Sequence, residues 1–170
     1  MRPAPIEGAA VTLRPIEREV AAALLAGREP AGILFAPGYP SPFSLEVMDL
    51  LAGPRAAEVG PGFRSWFVVR SDDDVVVGEI GYGLHETSGL ATVGYSIVEP
   101  CWGRGHASDA LQALVSRLRA DPHVRRVEGR APIAHAASRR VMEKAGLTFW
   151  DQRLEEVDGE LVELAIHRLR

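Results

Sequence analysis

Cysteine is nearly absent from this chain of 170 residues, where Cys101 stands alone. That excludes an intramolecular disulfide, and no cluster of cysteine and histidine has the spacing of a zinc site, so no metal is expected. Positive charge is scarce too. With 19 Lys and Arg against 23 Asp and Glu the formal net charge is -4, which argues against a basic surface that holds nucleic acid by neutralising phosphates. Any anion site must be local. No run of eighteen uncharged apolar residues is present, which removes a membrane-spanning helix. Met1 to Ala10 carries one Arg and two prolines but no apolar run with a cleavage pattern, so no signal peptide is expected. A reducing cytoplasm fits these absences. With no repeat, low-complexity tract or linker, residues 1–170 read as one domain, long enough to bury a core without staples.

What is present changes period along the chain. Val11, Leu13 and Ile16 suggest a first strand, and Glu17 to Ala26 reads as a helix that Gly27 ends. Arg28 to Pro42 reads as a long surface loop, after which Ser44 can cap a short helix through Leu51. Gly53, Pro54, Gly60, Pro61 and Gly62 keep the next stretch irregular. Trp66 to Arg70 and Val75 to Leu84 predict an antiparallel hairpin across a Ser-Asp-Asp-Asp turn, and Ala91 to Val98 extends the meander. Gly78, Gly81 and Gly83 weaken the second of these strands unless a bulge or a close backbone approach requires them. A helix follows, with Ala107, Ala110, Leu111, Leu114, Val115 and Leu118 on one face. Arg125 to Ala131 is a strand, Ala136 to Ala145 a helix closed by Gly146, and Leu147 to Glu156 with Glu160 to Leu169 a hairpin turning at Asp158-Gly159.

Between the third meander strand and its helix lies Trp102-Gly103-Arg104-Gly105-His106-Ala107-Ser108. Backbone N–H groups at such a strand-to-helix turn can converge on a phosphate, and small residues let it approach. A bare Gly-x-Gly loop is also an ordinary tight turn. A dinucleotide fingerprint is a further reading, with Glu128 near the spacing of a ribose-binding acid. That fold should begin with its fingerprint and continue in parallel units, whereas this loop follows an antiparallel meander.

Gly94-Tyr95, Pro100, the run from Trp102 to Ala110, and Ser138-Arg139-Arg140-Val141-Met142-Glu143-Lys144-Ala145-Gly146-Leu147 together resemble the successive signatures of GNAT acetyltransferases, in the branch similar to ribosomal-protein N-terminal acetyltransferases. Val11-Thr12-Leu13-Arg14-Pro15 resembles the usual opening strand. The likeness implies an α/β fold with flanking helices and a mixed, mostly antiparallel sheet in which two parallel strands, Ala91 to Val98 and Arg125 to Ala131, splay apart. It implies that acetyl-CoA lies in that gap as co-substrate, with its pantetheine arm along Ile97 and Val98. Its pyrophosphate would then rest on Gly103, Arg104, Gly105, His106, Ala107 and Ser108. An amine acceptor is the second partner. A homodimer is within the family's range, although no residue fixes an interface.

Acetyl transfer needs a neutral amine, a donor to the developing oxyanion and a proton for the leaving thiolate. An α-amine with a pKa of about 8 is roughly a tenth neutral at pH 7 and needs less help from a base than lysine does. For the oxyanion, the Val98 N–H is the expected donor. Ser138 resembles the serine that this branch places near the CoA sulfur; on residue grounds alone it is a helix-start serine bonding local backbone. His135 stands where the family usually has an asparagine in contact with the coenzyme, so that its imidazole either donates to CoA or weakens binding, and Met142 replaces the tyrosine acid of other branches. Thr92 stands where relatives often carry a carboxylate. The remaining base candidates are Glu79, Glu86 and Glu99. Alternation puts Glu79 on the face of Val75 and Val77, pointing inward. His85 and His106 are alternative proton relays or polar surface, and Cys101 reads as packing. Phe35, Tyr39 and Phe43 either line the acceptor site or anchor the loop. The rival to an enzyme is an inactive acyl-CoA-binding module, motivated by His135 and Thr92.

Overall fold

The computed structural model describes residues 3–169. Among them a nine-stranded mixed sheet runs in the order β1-β2-β4-β5-β6-β7-β9-β8, with β3 pairing β5 off this path. The chain enters through β1 (Ile6–Glu7) and β2 (Val11–Pro15), then α1 (Arg18–Leu25), β3 (Leu34–Phe35) and α2 (Pro42–Ala52). The meander is β4 (Phe63–Arg70), β5 (Val75–His85) and β6 (Leu90–Ile97). It is followed by α3 (His106–Arg119), β7 (Arg126–Pro132), α4 (Ala136–Lys144), β8 (Leu147–Val157) and β9 (Glu160–Leu169). Among the described residues no helix is long and apolar enough to cross a membrane.

Two apolar layers sandwich the sheet. On one face Ala110, Leu111, Leu114, Val115 and Leu118 of α3 and Met142 of α4 pack on Leu13, Val68, Ile80 and Val93. On the other, Ala21 and Leu24 of α1 and Met48 of α2 cover Phe67, Val69 and Val76. The Asp109 carboxylate, in the first turn of α3, accepts the N–H groups of Ala9, Ala10 and Val11 at 2.7–3.0 Å. This ties the N-terminal segment to the helix that follows the glycine loop.

Three sequence expectations are corrected here. Ser41, not Ser44, caps α2: its hydroxyl accepts the Ser44 N–H while the Ser44 hydroxyl accepts the Ser41 N–H, with Pro42 in the first turn. The presumed loop from Arg28 holds β3, which runs parallel to Val75 and Val76. Glu79 does point inward, but on the opposite face from Val75 and Val77. The register slips so that Val68 faces Gly78 and Val69 faces Val76, leaving Val77 as a bulge. Glu79 lies across from Phe67 and therefore under α1 and α2, whereas Val77 packs beneath α3. Glycine is required at this kink, since a Cβ on Gly78 would lie 2.0 Å from the Ser96 carbonyl oxygen.

Candidate active site

The splayed pair is present. β6 and β7 run parallel only from Leu90–Arg126 to Val93–Gly129, after which β6 continues unpaired with β7 to Ile97 and β7 continues beside β9. The gap opens into a cleft of about 650 Å³ between β6, the glycine loop and α4. Strand geometry decides which peptide groups face it. The Val98 N–H donates to the Val77 carbonyl at 2.9 Å, so it is turned towards β5 and is not free for an oxyanion. Peptide groups alternate along a strand, so those of Tyr95 and Ile97 face the opening. The Trp102 indole N–H donates to the Ile97 carbonyl across it.

The glycine loop leaves the start of α3 open. Gly103 and Gly105 have φ of 73° and 82°, a region that favours glycine, and a Cβ at either would point into open space. No side chain caps the start of α3, so the N–H groups of its first turn remain available at the positive end of the helix. Gly103, Gly105, His106, Ala107 and Ser108 line the cleft; Arg104 is exposed and lies outside the lining. His106 is buried, and neither ring nitrogen has a partner. Burial, then the charges of Arg70 and Arg104, hold its pKa below the usual histidine range. It is neither surface nor positioned in a hydrogen-bonded relay.

Across the cleft stands α4. The His135 Nδ1 accepts the Ser138 N–H at 3.3 Å, so the histidine in the asparagine position caps the helix while lining the cleft. The Tyr95 hydroxyl lies 2.8 Å from the Ser138 carbonyl, to which it donates, and 2.9 Å from the Ser138 Oγ. Burial holds the Tyr95 phenol above its ordinary pKa, with Ser138 pulling the other way. The partnership of Tyr95 with Ser138 spans 43 residues and has no local signal in the sequence.

A second cavity, of about 240 Å³, lies on the other face of β5 and β6 beneath α2. Its lining includes Phe43, Glu79, Thr92 and Gly94, and Phe43 also lines the first cleft. Glu79 pairs across the ladder with Ser96, itself in the first cleft, so the carboxylate sits where the two spaces adjoin. It is 1% exposed, and neither oxygen has a hydrogen-bond partner. Burial pushes its pKa up to about 7, against the smaller pull of Ser44 and Tyr39. Those two hydroxyls lie near enough to stabilise the anion without meeting the geometry of a hydrogen bond.

The other candidates fall away by position. Glu86 and Glu99 are exposed and line neither cavity, and the His85 ring is bound to Ser88. Glu128 is buried in an ion pair with Arg168, which removes it as a ribose-binding acid. Cys101 is buried in the core beside the first cleft, and Met142 is core. Phe35 and Tyr39 stack at 5.1 Å and meet Phe67 edge-on. They anchor the loop, leaving Phe43 as the one of the three that lines the cavities.

A family model described as an acetyltransferase (GNAT) domain matches residues 10–148. Among solved structures, the RimL ribosomal L7/L12 alpha-N-protein acetyltransferase in complex with coenzyme A superimposes with a TM-score of 0.72 at 16% identity, over 97% of each chain. An acetyltransferase of the GNAT family from Bacillus anthracis gives 0.69 at 15% identity over 98% of each chain. A chimera of spermidine N-acetyltransferase SpeG from Vibrio cholerae and hSSAT gives 0.70 at 14% over 95% of each. No curated protein matches significantly. At these identities the solved structures speak to the fold.

Proposed function

The chain belongs to the GNAT acetyltransferase family, and from that premise we propose that it moves the acetyl group of acetyl-CoA directly to a primary amine held beside Glu79. The observation that carries this is the pair of adjoining cavities, one flanked by a phosphate-ready helix start and the other closed by a buried, unpaired carboxylate. CoA is what the RimL structure holds, and the first cleft offers this chain's counterpart. Gly103, Gly105, His106, Ala107 and Ser108 present backbone N–H groups to the pyrophosphate, and the open edge at Tyr95 pairs the pantetheine arm.

The amine nitrogen attacks the thioester carbonyl carbon, and the carbon–sulfur bond breaks. Glu79, with a pKa of about 7, takes the proton the nitrogen loses. The Ile97 N–H, in place of that of Val98, faces the developing oxyanion. Ser138, held by Tyr95, supplies the proton that the CoA thiolate takes up. Acceptors named for the solved relatives are a ribosomal protein α-amine and spermidine; both offer a primary amine. Release of free thiol from acetyl-CoA across a panel of amines tests the proposal. Amine-dependent release supports it, whereas CoA binding without release by any amine would leave only a binding module.

A further inference from the structure

The cavity beneath α2 is shaped by side chains that are missing. Gly81 and Gly83 of β5 lie opposite Gly94 and Thr92 of β6, so all four share the face that Glu79 occupies. A Cβ on Gly83 or Gly94 would meet nothing within 4 Å, which means that the space above them is open. Val47 and Leu50 of α2 wall it with apolar surface, and Phe43, 45% exposed, stands at its mouth. Glu79 is the single charged residue of the lining, fully buried and without a partner.

We infer that this cavity selects a monoamine whose amine-bearing carbon carries a compact uncharged group, and that Gly83 and Gly94 set the size of that group. The inference rests on the acetyl-transfer reading and deepens it to a class of acceptor. One buried carboxylate matches one ammonium or amine. A second cation on the same acceptor would be buried against Val47 and Leu50 with no counter-charge, which is costly. The cavity volume of about 240 Å³ corresponds to roughly eight waters at their share of liquid volume. That is room for one small residue; a polyamine of similar size is disfavoured by its second charge and not by its bulk.

The experiment measures kcat/KM by thiol release from acetyl-CoA with L-alaninamide, L-leucinamide, putrescine and spermidine, for the native chain and for Gly83→Val and Gly94→Val. The expected result is at least a tenfold preference for the two amides over both polyamines. Each variant should raise the leucinamide KM at least tenfold while leaving the dissociation constant for CoA within twofold. Two variants are used because CoA affinity then reports whether each is folded. If a polyamine equals or exceeds the amides, or if neither variant that still binds CoA alters the leucinamide KM, the inference is overturned while acetyl transfer stands. If no amine releases thiol, the acetyl-transfer reading fails and takes this one with it.

Discussion

Glu79 is the base of the proposed mechanism, and burial places its pKa at about 7, within reach of an amine near 8. It acts as a base only when ionised, so its fraction in the working form rises as pH increases through about 7. The native kcat/KM should therefore show an acidic limb near that pH, separate from any limb of the amine itself. Glu79→Gln should remove this limb and lower kcat/KM by roughly 10²–10⁴, the usual contribution of a positioned base. A limb that persists in the variant would assign it to another group. On the sulfur side, Ser138→Ala should lower kcat by roughly a hundredfold with little change in CoA affinity. Tyr95→Phe should reproduce part of that loss, because the phenol lies 2.9 Å from the Ser138 Oγ. Equal losses in kcat and affinity would make Ser138 a binding contact.

At the scale of elements, the loop before α3 shows how much local sequence specifies. Gly103 and Gly105 were legible as a tight, open turn into α3 because left-handed φ and missing side chains are properties of glycine itself. For Gly105→Ala the new Cβ meets no neighbour within 4 Å, so the cost is conformational, about 1–2 kcal/mol for leaving glycine's permitted region. The loop can relieve that strain by abandoning its present shape. CoA affinity should then fall roughly tenfold by calorimetry, with the acceptor KM unchanged at saturating acetyl-CoA. The meander, α3, α4 and the final hairpin were legible for the same reason: periodicity and an Asp-Gly turn with φ of 53° and 82° are written locally. The bulge at Val77 was not, since it arises from a register between β4 and β5 that no single strand encodes. It reversed the face assigned to Glu79, while the separate register of β6 on β5 turned the Val98 N–H to the Val77 carbonyl and away from the cleft. The Tyr95–Ser138 contact escaped for a related reason, because it forms only once α4 is laid across β6.

For the molecule as a whole, the buried Glu79 carboxylate carries a stability cost whose pH dependence has a definite sign. The Glu79 pKa is raised on folding from 4.5 to about 7, so between those values the folded chain holds a proton that the unfolded chain has released. The stability associated with this group is fully present below pH 4.5 and is lost as pH rises through about 7. A shift of that size corresponds to roughly 3 kcal/mol, a large share of a typical domain's stability. Glu79→Gln, which cannot ionise, escapes that loss. Its melting temperature relative to the native chain should therefore increase between pH 5 and pH 8 by several degrees, at about 2–4 °C for each kcal/mol in a chain of this size. A saturating acceptor amine should narrow the gap at pH 8, because its cation gives the buried carboxylate the partner it lacks in the folded chain. A difference in melting temperature that stays constant across this pH range would show that Glu79 is solvated or already paired, and would remove it from the acceptor site.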